Sequence, residues 1–344
     1  MNTMQNRVNS FTGFQPLKEV WLGDCYPAHF YNHLSSEVQD AFATITEWTQ
    51  QDLAKIQQTL ESMGIVVQRP DFTNNVEDYV KDGRLSKPPI CPRDDNMTLG
   101  NEFYHLHSSR YKINPWARQI EDFKQHDVIV HEQEHSATEC LEPPSIVRIG
   151  RDIYVDYDTH EHMWGMVSEV LIQWAKNYRV HVCRTNGHSD GVFCPVAPGT
   201  IVATHHLTEY RKTFPDWQVF HLPRPKHNNW FGAWHLDNNT VLKNVGFADH
   251  INQYAFDWVG NFKETVFEAN MLVINPAHVL AIKEDPQMFK WLEQQGIAVT
   301  YCDFRCRSFW DGGLHCLTTD IVRQGSCEDY FPARPNLNYL DWLC

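Results

Sequence analysis

Apolar and polar positions follow two different periods along this chain. Residues 36–63 carry apolar side chains near helical spacing and predict a long helix. Gly64 follows at the position of a left-handed C-terminal cap, and residues 65–67 read as a short strand. Residues 17–23 read as another strand. Helices and strands therefore alternate, which predicts an α/β fold.

One phrase of this pattern occurs twice. Residues 60–67 (LESMGIVV) and residues 292–299 (LEQQGIAV) both end a helix on glycine and continue into a strand. A weaker copy runs from a helix predicted at 161–176 into a strand predicted at 178–183. The pattern indicates either repeated α/β units or ordinary α/β alternation with one chance echo. No linker interrupts the composition, so a single domain over residues 1–344 is expected.

Composition narrows the class of protein. The 344 residues are 42% hydrophobic and 21% charged, which is typical of a globular chain with a large core. Lys and Arg number 29 against 43 Asp and Glu, so the formal charge is −14. An acidic chain repels phosphate backbones, so nucleic acid is not an expected partner. A cationic small substrate suits the charge.

The ten cysteines are expected to be reduced thiols. Residues 1–10 lack the apolar segment of a signal peptide, and no apolar run is long enough to cross a bilayer. We therefore expect a cytoplasmic protein without a membrane partner. Most of the cysteines, such as Cys25, Cys183 and Cys302, are expected to be small buried apolar residues.

Two motifs point only weakly to chemistry. His131-Glu-Gln-Glu-His135 matches the zinc motif H-E-x-x-H, but that motif needs a helix, and residues 127–130 just before it read as a strand. A solvated loop is the favoured interpretation, and neither a metal nor another cofactor is expected. A papain-type protease places its cysteine before its histidine, which is the reverse of the order found here.

A third pattern combines a cysteine, a histidine and a carboxylate. Cys316 follows the paired glycines 312 and 313, which allow a backbone to approach a ligand closely. His188 and Asp190 lie upstream in a glycine-flanked turn, and residues two apart in an extended segment share a face. Together they offer a nucleophile, a proton carrier and a carboxylate for covalent catalysis. A turn histidine and a buried structural cysteine explain the spacing about equally well.

At these residues the chain resembles the amidinotransferases of the guanidino-group-modifying enzyme superfamily, the group that contains glycine amidinotransferase. The resemblance covers residues 91–331. It rests on the phrases Pro92-Arg93-Asp94, Gly100-Asn101-Glu102, Arg148-Ile-Gly-Arg151-Asp152, Tyr178-Arg-Val-His181, His188-Ser-Asp190, Asn270-Met-Leu and Gly313-Leu-His-Cys316-Leu-Thr-Thr-Asp320. It implies a five-fold pseudosymmetric α/β propeller of repeated ββαβ-type units, with the site at its centre.

The resemblance also implies a role for each site residue. Cys316 would attack the guanidinium carbon of a donor and carry the amidino group. His188, with Glu142 as its acidic partner, would protonate the departing amine and then deprotonate the acceptor. Asp94 and Asp190 would bind the guanidinium through charge-assisted hydrogen bonds, which are stronger than neutral ones.

Three positions depart from the family pattern. Glu142 stands where the family has an aspartate, and Ser145 stands where it has a second one. Leu207 occupies the place of an arginine that binds the carboxylate of the substrate. Its neighbours His205, His206 and Arg211 are candidate replacements, and we include Arg211 and Arg93 among the expected substrate-binding residues.

The sequence therefore favours an amidinotransferase that moves an amidino group from arginine, or another guanidine, to a primary amine. One alternative is a guanidine hydrolase on the same scaffold, either an arginine deiminase or a dihydrolase. Another is a non-catalytic binding protein descended from the fold. The expected partners are thus small molecules, and a homodimer is a candidate assembly.

Overall fold

The structure is a computed structural model that describes residues 7–81, 83–106, 111–132, 141–185, 188–204, 210–222, 267–282, 284–334 and 341–342. In chain order its helices, α1–α8, are Ser36–Ser62, Pro92–Asp95, Ala117–Gln125, Tyr157–His160, Trp164–Trp174, Tyr210–Thr213, Pro286–Gln294 and Arg307–Trp310. Its strands, β1–β18, are Leu17–Leu22, Val66–Gln68, Val80–Lys81, Arg84–Leu85, Asn96–Leu99, Glu102–His105, Ile129–His131, Ile146–Ile149, Asp152–Asp156, Arg179–Cys183, Phe193–Ala197, Thr200–Ala203, Gln218–His221, Leu272–Asn275, His278–Ala281, Ala298–Tyr301, Thr318–Arg323 and Asp341–Trp342.

Five sheets repeat one strand order among the described residues. Each has an antiparallel pair followed by an outer strand parallel to its neighbour: β5-β6-β7, β8-β9-β10, β11-β12-β13, β14-β15-β16 and β17-β1-β2. A helix precedes each outer strand in the chain, because parallel neighbours need a crossover connection. β18 extends the second of these sheets, and β3-β4 is a separate hairpin. The predicted α/β class is confirmed.

The phrase that occurs twice in the sequence forms the same local structure both times. Gly64 and Gly296 have left-handed φ angles of 77° and 79°, as the predicted helix caps require. In each copy the next isoleucine donates its N–H to the leucine that begins the phrase: Ile65 to Leu60 at 3.2 Å and Ile297 to Leu292 at 2.9 Å. Each copy then enters an outer, parallel strand, β2 or β16.

The helix predicted at 161–176 is divided, and the helical run extends from Tyr157 to Trp174 instead. The Asp156 side chain accepts a hydrogen bond from the backbone N–H of Thr159 at 2.6 Å and caps α4, so the helical run begins early. A 3₁₀ turn at Glu161–Met163 separates it from α5, which ends at Trp174. A local cap therefore sets the start of the helical run, which the apolar spacing alone did not reveal.

The fifth sheet joins the beginning of the chain to its end. β17 pairs antiparallel with β1, with Val20 opposite Asp320 and Leu22 opposite Thr318. Every residue of β17 is buried. The backbone N–H of Gly23 also donates to the carbonyl of Leu317 at 3.0 Å. The turn that contains Cys316 is therefore anchored at the point where it enters this strand.

The cysteines agree with the expectation from sequence. Eight lie in the described residues as free thiols, and all of these except Cys327 are buried. Cys25, Cys183 and Cys302 are thus confirmed as buried residues. Over the part of the chain that the structure describes, no helix combines the length and apolar character needed to span a membrane.

Candidate active site

Cys316 lies in a tight turn that two hydrogen bonds close. The backbone N–H of Leu317 donates to the carbonyl of Gly313 at 3.0 Å, and the hydroxyl of Thr318 donates to the carbonyl of Leu314 at 2.7 Å. Cys316 is only 4% exposed. The turn thus presents a buried thiol at a fixed position.

The Asn270 side chain contacts this thiol directly. Its Oδ1 accepts the backbone N–H of Cys316 at 3.0 Å, and its Nδ2 lies 3.1 Å from Cys316 Sγ. The same Nδ2 is 3.3 Å from the carbonyl oxygen of Asp190. One amide therefore connects the turn that contains Cys316 to the segment that contains Asp190.

Asp190 lies beside the thiol, in the 3₁₀ turn Ser189–Gly191. Its Oδ2 is 3.5 Å from Cys316 Sγ and 2.7 Å from His315 Nδ1. Burial opposes ionisation of Asp190, but the hydrogen bond from His315 and the neighbouring positive charges together outweigh it, and the pKa of Asp190 lies below its ordinary value. Burial and the charge of Arg93 lower the pKa of His315. A neutral His315 therefore donates from Nδ1 to an ionised Asp190.

His188 immediately precedes that turn and is half-buried. Its charge contributes to lowering the pKa of Asp190, after burial and the contacts of His315. Burial lowers the pKa of His160, with Glu142 acting in the opposite direction and His188 in the same one. The structure therefore brings Glu142 and His188 into one neighbourhood around His160. A direct pairing of Glu142 with His188 stays a prediction.

His160 holds the backbone of Glu142. Its Nδ1 lies 2.6 Å from the carbonyl of Asp156, which can only accept, so Nδ1 carries the proton. Its Nε2 then accepts the backbone N–H of Glu142 at 3.0 Å. His160 is 1% exposed, so this bond is well shielded from water. Glu142 itself stands just before the 3₁₀ turn Pro143–Ser145 and is half-buried.

Asp94 lies in the short helix α2 on another side of the thiol. Its Oδ2 is 3.6 Å from Lys87 Nζ. A Cβ placed on Gly312 would lie 2.9 Å from Cys91 Sγ and 3.3 Å from Cys316 Cβ, so both cysteines border the space left by that glycine. Burial raises the pKa of the Cys316 thiol well above its ordinary value, and the charges of Asp190, Cys91 and Asp94 add to this. The thiol is therefore neutral at neutral pH.

Arg93 contacts the turn that contains Cys316. Its Nε donates to the carbonyls of His315 at 2.8 Å and Thr318 at 3.0 Å, one on each side of Cys316. Its terminal nitrogen donates to Asp320 at 2.7 Å. These contacts support a role in holding the turn. The expected contact of Arg93 with substrate stays a prediction.

The carboxylate of Asp320 binds three buried guanidinium groups. Arg93 at 2.7 Å, Arg148 at 2.9 Å and Arg323 at 2.9 Å all reach its carboxylate, and none of the four side chains is more than 6% exposed. Ser10 donates a further hydrogen bond at 2.5 Å. This buried cluster connects α2, β8 and β17 directly below the site.

A cavity of about 450 Å³, which includes open solvent, borders the site. Asp190, His315, Arg93 and Arg148 contribute polar groups to its wall, and apolar side chains of β8, β11 and residues 269–273 line most of the rest. The cavity therefore reaches the carboxylate that stands 3.5 Å from the thiol.

The remaining sequence-based expectations have separate outcomes. Arg211 is exposed on α6, and no described contact joins it to the cluster around Cys316. His205, His206 and Leu207 lie outside the described residues. Of the zinc motif, His131 ends strand β7 and contacts Glu102 at 2.7 Å, whereas residues 133–135 lie outside the description. Within the described ranges, no group of three or more His, Cys, Asp or Glu side chains is arranged for a metal ion.

Sequence reasoning missed the contacts of Asn270 and His315. Both belong to phrases that carry the family resemblance, but their spacing reveals nothing about contact. Asn270 is 46 positions from Cys316, and His315 is 125 positions from Asp190. Only the fold brings each pair together.

Comparison with known proteins identifies the relatives of this fold and site. No protein-family model matches the chain. L-arginine:L-lysine amidinotransferase of Pseudomonas savastanoi pv. phaseolicola is 23% identical over 193 residues, and mitochondrial glycine amidinotransferase of Gallus gallus is 24% identical over 206 residues. These alignments cover 53% and 56% of this chain but only 44% and 40% of those proteins. Inosamine-phosphate amidinotransferase 1 of Streptomyces glaucescens is 21% identical over 314 residues, 82% of each chain.

Solved structures share the fold. An amidinotransferase of saxitoxin biosynthesis from Microseira wollei has a TM-score of 0.68 at 18% identity, covering 94% of this chain and all of that one. Inosamine-phosphate amidinotransferase from Streptomyces griseus has a TM-score of 0.67 at 16% identity, covering 95% and 99%. A cyanobacterial arginine dihydrolase domain has a TM-score of 0.54 at 13% identity, covering 90% and 98%. The chain shares its mixed α/β fold with these solved structures, and the resemblance to the amidinotransferase family is confirmed.

Proposed function

We propose that this protein is an amidinotransferase that uses Cys316 as its nucleophile. The observation that carries the proposal is the position of Cys316 Sγ, 3.5 Å from the Asp190 carboxylate, in a site where Asp94 acts on the same thiol. Two carboxylates beside a buried thiol form a poor environment for a lone thiolate. They form a good one for a thiolate paired with a guanidinium cation, whose N–H groups match carboxylate oxygens.

The donor cation activates its own nucleophile in this arrangement. Burial and the carboxylates keep the thiol protonated until a positive charge arrives. Asp94 and Asp190 hold the guanidinium, which lowers the pKa of Cys316 and places the guanidinium carbon next to sulfur. Arginine, or another guanidine, is the proposed donor. Arg93 and Arg211 stay proposed binding residues for the rest of the substrate.

The chemistry then proceeds in two balanced halves. The thiolate attacks the guanidinium carbon and forms a C–S bond and a neutral tetrahedral intermediate. The C–N bond to the donor amine breaks as His188 protonates that nitrogen, and the amidino group stays on sulfur as a cation. A primary amine, deprotonated by His188, attacks the same carbon and the C–S bond breaks. Such acid–base assistance contributes about 10²–10⁴-fold in rate.

Glu142 is the proposed acidic partner of His188. The bond from its backbone to His160 supports this, because it fixes the segment on which the carboxylate stands. A carboxylate near an imidazole stabilises the protonated form that the first half of the reaction needs.

Hydrolysis is the second candidate function. The solved arginine dihydrolase and dimethylarginine dimethylaminohydrolase share this fold, the latter with a TM-score of 0.53. The two functions differ in whether water or an amine reaches the carbon on sulfur. A hydrolase would use the same Cys316 and the same carboxylates.

The same proposal includes an architecture. We propose a single catalytic domain over residues 1–344 in which the five sheets are the blades of a five-fold pseudosymmetric α/β propeller around the site. The repeated strand order supports this reading. A cytoplasmic location and a homodimer belong to the proposal as well.

Product analysis tests the function. The protein is incubated with arginine labelled in the amidino carbon and with a panel of primary amines, and products are read by mass spectrometry. Ornithine together with a labelled new guanidine supports transfer, whereas citrulline or ammonia supports hydrolysis. Cys316→Ser and Cys316→Ala are expected to abolish both the product and the label on protein. Wild-type turnover in either variant contradicts the mechanism, and the absence of adduct and product across all donors favours a binding protein.

A further inference from the structure

The Asn270 amide is bonded to the nucleophile on both sides. Its oxygen accepts the Cys316 N–H at 3.0 Å, and its nitrogen points at Cys316 Sγ from 3.1 Å. A carboxamide nitrogen only donates hydrogen bonds, so at this contact sulfur is the acceptor. Asn270 is fully buried, so water does not compete for either bond.

The close approach of Asn270 depends on Gly313. A Cβ at position 313 would lie 2.6 Å from the Cβ and Oδ1 atoms of Asn270 and 2.7 Å from its carbonyl oxygen. These distances leave no room for any side chain at this position. The paired-glycine phrase therefore serves this contact: it lets a neutral amide reach the sulfur.

The charges around the thiol make this donor important. The neutral thiol accepts from Asn270 and donates to Asp190 Oδ2 at 3.5 Å. Once the proton leaves, the contact with Asp190 places two negative charges together, while the contact with Asn270 becomes charge-assisted and strengthens. The hydrogen bond donated by Asn270 thus favours the ionised form of the Cys316 sulfur.

We propose that Asn270 is a catalytic residue that donates a hydrogen bond from Nδ2 to the Cys316 thiolate, before attack and again when the thiolate leaves the amidino carbon. The amide keeps its proton throughout, and the thiol proton passes to solvent or to a base in the site. The role in turnover rests on the proposed function. The effect on thiol ionisation stands without it.

Two substitutions separate this role from a structural one. Asn270→Asp keeps an oxygen for the Cys316 N–H and replaces the Nδ2 donor with a second oxygen, adding a negative charge. Asn270→Leu removes donor and acceptor without adding charge, and Asn270→Ala serves if the leucine variant does not fold. Asn275→Asp is the matched control, because it adds the same charge at the end of β14, where Asn275 Oδ1 caps a turn at 2.9 Å.

The experiment measures alkylation of Cys316 by iodoacetamide across pH, without substrate, using peptide mass spectrometry to separate this thiol from the others. We expect the pKa of Cys316 to rise in both Asn270 variants and alkylation at neutral pH to slow about tenfold or more, since charge-assisted hydrogen bonds have this strength. Asn275→Asp is expected to match wild type. Melting temperatures monitor folding.

The outcomes are distinct. An unchanged alkylation profile in Asn270→Leu or Asn270→Ala overturns the proposal, as does an upward shift confined to Asn270→Asp, which charge alone explains. An upward shift in both variants supports it, even if no amidino transfer is found. With the donor identified, a fall in kcat at unchanged KM adds support in turnover, whereas a rise in KM alone contradicts a role at the sulfur.

Discussion

Neutralising Asp320 is predicted to have a large effect on stability. Its carboxylate is 1% exposed and accepts hydrogen bonds from Arg93, Arg148 and Arg323, which lie at 2.7–2.9 Å. Asp320→Asn keeps the shape of the side chain and removes the charge that these three groups share. The three buried guanidinium groups then lose the carboxylate that they share.

The magnitude follows from this geometry. Removing one partner of a buried ion pair costs about 3–5 kcal/mol, because the other charge stays buried without compensation. Since Asp320 serves three arginines, we expect a loss near the upper end of that range, about 5 kcal/mol. A typical domain is stable by about 5–15 kcal/mol, so the variant is expected to fold only marginally.

The pH dependence has a definite sign. Burial opposes ionisation of Asp320, but the charges of Arg148, Arg323 and Arg93 outweigh it and hold the pKa well below its ordinary value. A lowered folded-state pKa stabilises the protein above the unfolded-state pKa, and this contribution is lost as pH falls through the folded-state pKa. The difference in the free energy of unfolding between wild type and Asp320→Asn is therefore expected to be constant near neutral pH and to decrease only in acid.

Urea unfolding at several pH values measures this difference. Asp71→Asn is the matched control, since Asp71 pairs with Arg118 at 2.7 Å but the two side chains are 56% and 66% exposed. Exposed pairs contribute about 0–1 kcal/mol. A loss in Asp320→Asn no larger than that in Asp71→Asn would refute the reasoning, as would a difference that grows in acid.

Two further predictions concern the turn that contains Cys316. His315→Leu removes a hydrogen bond that lowers the pKa of Asp190, so we expect this pKa to rise. The affinity for the guanidino donor is expected to fall about tenfold, and the pH below which binding is lost is expected to increase. His315→Asn keeps a hydrogen-bond donor near the position of Nδ1 and is expected to retain most of the affinity for the donor. The measurement is donor binding as a function of pH, and identical pH profiles for the two variants would contradict this role of the hydrogen bond. Gly313→Ala drives a Cβ into Asn270, so we expect a loss of about 1–3 kcal/mol and slower Cys316 alkylation. Gly13→Ala has open space and serves as the control in thermal unfolding, where equal melting temperatures would contradict the steric argument.

Local features of the fold could be predicted from the sequence. Gly64 and Gly296 mark helix ends because a left-handed cap depends on a few neighbouring residues. The strands around them follow from apolar spacing. The helix at 161–176 was misjudged because the capping carboxylate of Asp156 lies outside the apolar pattern that predicted it.

Contacts between distant residues could not be predicted in the same way. Arg93 and Asp320 are 227 positions apart, and a buried arginine looks like a surface charge in the sequence. The family resemblance directed attention to Cys316 and Asp190, which the structure brings to 3.5 Å. The contacts of Asn270 become visible only after the strands are assembled.

The pairing of β1 with β17 has a consequence for biosynthesis. β1 is translated some three hundred residues before β17, so of its two neighbours in the sheet only β2 is present to pair with it early in translation. Pairing at such sequence separation closes late, because the entropy of the intervening loop opposes it. A nascent chain therefore carries Asp190 before Cys316 is made, and the two side chains come together only when the fifth sheet closes.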